Sequence, residues 1–307
     1  MARGPSLLDP TRWLHKALSP VDPALYTRSG GDLGADLHLR YLGTAGFELK
    51  AAGRTVVIDP FITRPDVQTT VSKPLVPDAA AIARVLPDAH DVLIGHAHHD
   101  HVLDGPELCR QTGARFIGSP SACNVARAAG LPEGQLVETR GSEDIALGEA
   151  GHCRGLPSRH GRVYFGRVSL PGAIPTPPPW PPRFHQLRHG LVLNWYVEMG
   201  GVRVVHVDSA DFIDAELDGF TADVVCLCAI GRAWRPGYVA TAVRKLRPRV
   251  IVACHWDSFF TPYGEPPRLL PGVDLPGFID EIQAHGVEAV VLPFDGVYGV
   301  AAAAAAR

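Results

Sequence analysis

No window of this 307-residue sequence approaches the roughly 18–20 uncharged apolar residues that a membrane-spanning helix needs, so a soluble protein is expected. The first 26 residues also lack the uninterrupted apolar stretch of a signal peptide. With prolines at positions 5, 10, 20 and 23, they read as an irregular surface arm on a cytoplasmic protein. A basic stripe is missing too. The 29 Lys and Arg and 32 Asp and Glu are spread along the chain, the formal net charge is -3, and nucleic acid is not an expected partner. None of the six cysteines (Cys109, Cys123, Cys153, Cys226, Cys228 and Cys254) forms a CxxC pair. Several sit in apolar runs, which fits reduced thiols packed as small hydrophobes. Cys254 adjoins His255, a neighbour relation that packing explains as well as chemistry does.

What is present is enough apolar sequence, 46%, for a large core. Residues 38–42, 46–50 and 55–59 read as an antiparallel meander broken at Gly43-Thr44 and Ala52-Gly53. Strands then alternate with helices: helix 79–86, strand 92–95, helix 105–112, strand 116–118, helix 121–129. A second half repeats the order, with a hairpin at 191–199 and 202–208, strand 224–228, helix 238–246 and strand 250–254. Helix 275–285 and a last inner strand at 289–292 complete it. Residues 170–189 carry too many prolines for helix or interior strand, and read as a loop that is either a lid or a surface excursion. The expected organisation is an arm at 1–37, one domain at 38–300 with the Pro-rich insertion 170–189, and a disordered alanine tail at 301–307.

The run His96-Ala97-His98-His99-Asp100-His101 places four metal-ligand types directly after an apolar strand. Residues two apart on an extended segment point the same way, so His96 and His98 can converge on one ion, while Asp100 and His101, around the next turn, face another. Three more apolar segments end in a ligand type: His160, Asp208 and His255. Strand-end ligands meet at one rim of a sheet. Five histidines and two aspartates suit zinc, with iron, manganese or nickel accepted by the same donors, and they divide into three and three with one bridging carboxylate. By alternation His99 points away from the ligands, to the surface or behind one of them, and His206 reads as a core residue. Asp211 and Asp257 read equally as proton donors, anchors or turn caps.

These residues resemble the metallo-beta-lactamase superfamily, whose HxHxDH motif matches His96 to His101 at every ligand position. The resemblance runs from about residue 38 to residue 299. It implies a four-layer αββα sandwich of the α/β class. It also implies His96, His98 and His160 on one metal, Asp100, His101 and His255 on the other, and Asp208 between them. Asp59 would orient a ligand histidine from behind. Within the superfamily, Tyr41 to Phe47 with Val57-Ile58-Asp59-Pro60 is similar to the branch holding ascorbate-6-phosphate lactonase and N-acylphosphatidylethanolamine phospholipase D.

The activity this implies is hydrolysis of an ester, phosphodiester or lactone by a metal-bridging hydroxide, with Asp100 or Asp208 accepting a proton. Trp180 and His189 on the Pro-rich loop, and Trp256 and Tyr263 after the last ligand, are candidate contacts to a small-molecule or lipid-like substrate. Two alternatives are an iron-dependent redox enzyme of dioxygenase type on the same fold, and a non-catalytic metal-binding module. Di-iron relatives place a carboxylate where this chain has His98, and non-catalytic relatives lose ligands that this chain keeps. Neither the oligomeric state nor the substrate is written in the sequence.

Overall fold

The structure, a computed structural model, describes residues 20–27 and 34–302. Strands β1 (Leu37–Gly43), β2 (Gly46–Ala51) and β3 (Arg54–Ile58) form the antiparallel meander. Helices α1 (Val67–Ser72) and α2 (Ala79–Val85) lead to β4 (Asp91–Ile94), which pairs parallel with β3. Then come α3 (His99–Val102), α4 (Gly105–Thr112), β5 (Arg115–Gly118), α5 (Pro120–Ala128) and β6 (Leu136–Glu138). A second set follows: β7 (Asp144–Ala146), β8 (Gly151–Ser158), β9 (Val192–Met199), β10 (Val202–Val207), β11 (Val224–Cys228), α6 (Tyr238–Leu246) and β12 (Val250–Cys254). The chain ends with α7 (Leu275–Gln283), β13 (Glu288–Val290) and β14 (Val297–Val300).

The strands build two seven-stranded mixed sheets, ordered β14-β1-β2-β3-β4-β5-β6 and β13-β12-β11-β10-β9-β8-β7. Side-chain alternation assigns the layers. In β3, Val56 and Ile58 join the large core cluster shared with the second sheet, while Val57 joins a separate cluster with α2, α4 and α5 residues such as Ile82, Leu108 and Val125. On the other side, Val239, Ala242, Phe278 and Ile282 of α6 and α7 pack onto the second sheet. The result is the αββα sandwich expected from the sequence. The parallel strands β11 and β12 are buried at every residue, as strands covered on both faces must be. All six cysteines are buried and unpaired by disulfides.

The helices that the sequence announces carry their own stop signals. Pro106 opens α4, and Gly113 closes it in the left-handed region at φ 77°. The Ser119 hydroxyl caps α5 by accepting from Ala122 N. One expectation needs correction, and two gain detail. Residues 288–290 form an edge strand rather than an inner one, because a further strand, β14, takes the last apolar residues across to β1 in the other sheet. The described part of the arm is irregular and mostly at the surface, yet it is anchored: Val21 is buried, its N–H donates to Pro267 O, and Thr27 N donates to Val291 O. The start of the tail is held as well, with Ala302 N donating to Asp36 Oδ2. The rest of the arm and of the tail lies outside the described residues. Among the described residues, no helix is long and apolar enough to cross a membrane.

The sheets are tied together at one edge by Asp257, which follows β12 and is fully buried. Its Oδ1 accepts from the hydroxyl of Tyr41 in β1 and, at 2.7 Å, from Thr44 N on the β1–β2 turn. Its Oδ2 accepts from Arg64 Nη1 at 2.9 Å, and Arg64 also donates to Thr44 Oγ1 and Phe61 O. A charge buried this way is tolerable only when every partner is present. Arg64→Met is therefore expected to lower stability by about 3–5 kcal/mol, measured by urea unfolding, because it leaves the Asp257 carboxylate buried and unpaired. A loss under about 1 kcal/mol would show that the pair is not a buried clamp.

Candidate metal centre

The edge held by Asp257 is where the strand ends converge. His96 to His101 leave β4, His160 follows β8, Asp208 follows β10 and His255 follows β12. Six of the seven residues are almost fully buried, and His160 is partly so. One nitrogen or oxygen from each member of three trios falls within 4.8 Å of the others: His96, His98 and His160; His96, His101 and Asp208; Asp100, His101 and His255.

The distances inside the cluster are short. His96 Nε2 lies 2.9 Å from His98 Nδ1, and the His160 ring lies 4.9 Å from the His96 ring and 4.8 Å from the His98 ring. Asp100 Oδ2 is 3.3 Å from His255 Nε2 and 3.5 Å from His101 Nε2. Between the groups, Asp208 Oδ2 contacts His96 Nδ1 at 2.6 Å.

Carboxylates and carbonyls behind the cluster orient its rings. Asp59 Oδ1 accepts from Gly95 N at 2.7 Å, and its Oδ2 accepts from His101 Nδ1 at 2.9 Å, which leaves His101 Nε2 facing Asp100. The His160 Nδ1–H donates to Gly161 O at 2.8 Å, so its Nε2 presents a lone pair. Gly95 is required here: a Cβ would meet Asp208 Oδ2 at 2.2 Å and Asp59 Oδ2 at 3.0 Å. Four non-glycine residues around the site have positive φ: Thr44 at 55°, Asp59 at 44°, Arg64 at 40° and His255 at 52°. Such backbones persist only when surrounding contacts over-determine them. Here those contacts are the Asp257 bonds and His255 N donating to Thr44 O at 2.5 Å.

The donor set fits metal ions. Burial, then neighbouring imidazoles, holds His96 and His98 well below the ordinary histidine range, and His101 is lowered by the same causes, so the rings carry free lone pairs near neutrality. His98 Nε2 and Asp208 Oδ1 are buried without a hydrogen-bond partner, a costly state that coordination of the cluster relieves.

The structure places the other sequence candidates differently. His189 reaches the cluster: its ring stacks on His160 at 5.6 Å and meets His98 edge-on at 5.8 Å, while its carbonyl accepts from Ala97 N. Its Nδ1–H donates to Gly190 O at 2.6 Å, which leaves Nε2 as an acceptor on the cluster side. Trp180 is not at the cluster. It lines a shallow groove of about 200 Å³ with Val76, Pro77, Pro106, Glu107, Arg110 and Ala129 on the helical layer. The Pro-rich segment is strapped there, with Ile174 N on Ser121 Oγ and Pro182 O accepting from Leu75 N, and only its end reaches the metal ligands. Trp256 is a fully buried core residue stacked on Tyr41, and Tyr263 turns to Phe294 and Asp295. The aromatic run after His255 is therefore split, and only Phe259 faces this way, against His99 and His255.

His99 is buried rather than at the surface, boxed by Phe61, Phe184 and Phe259, with Nδ1 3.3 Å from Asp100 Oδ1. His206 is a core residue whose Nε2 donates to Ala45 O. Asp211 is engaged with Arg235, and Asp257 is the clamp described above. Sequence reading missed Arg64, Thr44 and Ser209, whose hydroxyl holds Gly161 N at 2.8 Å. A single sequence carries no signal for them, because their partners lie in distant loops.

Asp59→Asn is expected to weaken metal binding at the His101 side about 10–100-fold in chelator competition while the fold is retained, since His101 loses its orienting acceptor. Unchanged affinity would remove Asp59 from that role.

Comparison with known proteins agrees with the geometry. Residues 38–255 match the family model described as a beta-lactamase superfamily domain. The chain is 28% identical over 227 residues to a UPF0173 metal-dependent hydrolase of Pyrobaculum arsenaticum, covering 73% of this chain and 85% of that one. It is 26% identical over 272 residues to one of Methylobacterium nodulans, covering 85% and 98%. Among solved structures, Igni18, a novel metallo hydrolase from Ignicoccus hospitalis, shares the fold with a TM-score of 0.56 at 20% identity, over 85% of this chain and 97% of that one.

Proposed function

This chain belongs to the beta-lactamase superfamily, and from that premise we propose that it is a metal-dependent hydrolase whose seven His and Asp ligands hold two divalent ions, zinc by preference. The observation that carries the reading is the convergence of three ligand trios on one buried edge, with His98 Nε2 and Asp208 Oδ1 left without partners. His96, His98 and His160 would hold one ion and Asp100, His101 and His255 the other; Asp208, grouped with His96 and His101, one residue from each set, would bridge them through its unpartnered Oδ1 while its Oδ2 fixes the His96 ring. Bound there, the ions supply Lewis acidity and bring the pKa of water down to about 7.

The protein's own part is positioning and proton handling. Asp59 and Asp208 set the tautomers of His101 and His96, so that each ring offers one nitrogen. Asp100, beside His101 and His255, is the carboxylate placed to accept a proton from the attacking water. His189 Nε2, fixed as an acceptor above His160, suits a hydrogen-bond donor on the substrate. The scissile bond we assign is an ester, phosphodiester or lactone of a small molecule with an apolar part. Tyr41 to Phe47 supports placing the chain near the lactonase and phospholipase D branch, and Phe184 and Phe259 around His99 support the apolar part.

Purified protein is expected to carry two equivalents of metal, and His101→Ala one, with hydrolysis of bis(p-nitrophenyl) phosphate or a simple lactone reduced at least about a hundredfold, the loss expected when one of two acting ions is removed. Hydrolysis that survives complete chelation would sink the proposal.

A further inference from the structure

Between Glu149 and Glu198 the chain has six arginines and no aspartate or glutamate, in a protein whose net charge is -3. This acid-free stretch supplies His160 and His189 to the metal centre. Four of its arginines flank them: Arg159, Arg162 and Arg167 around His160, and Arg188 before His189. All four are exposed, and no carboxylate pairs with them among the described residues. Elsewhere arginines are commonly matched, as in Arg54 with Asp91, Arg127 with Glu133 and Arg203 with Asp223.

The backbone holds both segments against the cluster. Gly161 N donates to Ser209 Oγ, one residue past Asp208. Val163 N donates to Arg167 O, which folds 163–167 back on itself beside the ligands, and His189 O accepts from Ala97 N between the first two histidines. Tyr164 sits on this fold as a partly exposed aromatic ring. Next to it, Phe165 projects 88% exposed with φ at 58°, an apolar tip on a basic rim. Exposed unpaired cations that serve no ion pair cost nothing to leave in water, yet four of them on the two segments that carry His160 and His189, with no acid among them, give these segments a local positive field that attracts anions.

We propose that the mouth of the site binds a substrate bearing an anionic group, a phosphate or carboxylate, on an apolar body, with the anion held by Arg159, Arg162, Arg167 and Arg188 and the apolar part laid against Tyr164 and Phe165. This rests on the hydrolase reading for the identity of the site, but binding is measurable without turnover. The probe is monomeric dodecyl phosphate, with dodecyl maltoside as its neutral counterpart, titrated by calorimetry into metal-loaded protein. Dodecyl phosphate is expected to bind at least about tenfold more tightly than the maltoside, and its affinity is expected to fall about tenfold between about 50 and about 300 mM salt. Charge reversal in Arg162→Glu/Arg167→Glu should abolish that preference, while the milder Arg159→Gln/Arg188→Gln should reduce it severalfold. Metal content is expected to stay at the wild-type level in both variants. Equal binding of the two amphiphiles, or a preference that survives both variants, overturns the assignment. So does co-sedimentation with phosphatidylglycerol vesicles without binding of the monomeric phosphate, which would make the rim a membrane-facing surface. Anion binding with no hydrolysis of any ester would leave this inference standing and remove the hydrolase reading instead.

Discussion

The metal centre depends on one buried carboxylate that is not itself a ligand. Asp257 joins the turn after β1 to the segment after β12, and so fixes the spacing of the two sheets at the edge where the ligands arrive. From opposite sheets come His101, carried by the segment after β4, and His255, carried by the segment after β12. Without that tie, each sheet would still bury its own apolar face, but the two ligand sets would be held in register only by neutral backbone and imidazole bonds such as His255 N to Thr44 O and His206 Nε2 to Ala45 O. The strained backbones at Thr44, Arg64 and His255 lie within this same network, where local conformational cost is offset by bonds to a single charged group.

Around the cluster the carboxylates have separate tasks. Asp59 and Asp257 work from behind, on His101 and on the loops respectively, while Asp100 and Asp208 turn oxygens inward. The distinction follows from how each oxygen is satisfied. Where both oxygens already accept hydrogen bonds, as in Asp59, the group is structural; where one is left bare, as in Asp208, it is free to bind.

Much of this was legible because the local signals agree with the tertiary result. The apolar runs at β11 and β12, the Pro106 and Gly113 brackets of α4, and the spacing of His96, His98, Asp100 and His101 each point to one outcome. The elements that went unread have weak local signals. Helix α1 contains Thr69, Thr70 and the exposed β-branched Val67 and Val71, and is set by the Asp66 cap. Strands β7 and β14 are three and four residues long, and their existence depends on partners far along the chain. Side-chain destinations were least accessible. Trp180 and Trp256 have the composition of a pocket wall, but the fold sends one to the helical layer and the other into the core.

The thiols add a chemical consequence. Each of the six is sealed in the interior, and Cys254, though bonded in sequence to a ligand histidine, lies with its sulfur nearest Val207 O while burial raises its pKa well above the ordinary thiol value. Described nucleophilic sulfur is therefore withheld from incoming ions, which meet only imidazole nitrogen and carboxylate oxygen. Such a pocket discriminates by hardness: thiophilic ions such as cadmium or mercury gain no sulfur ligand there, and the borderline metals keep the advantage.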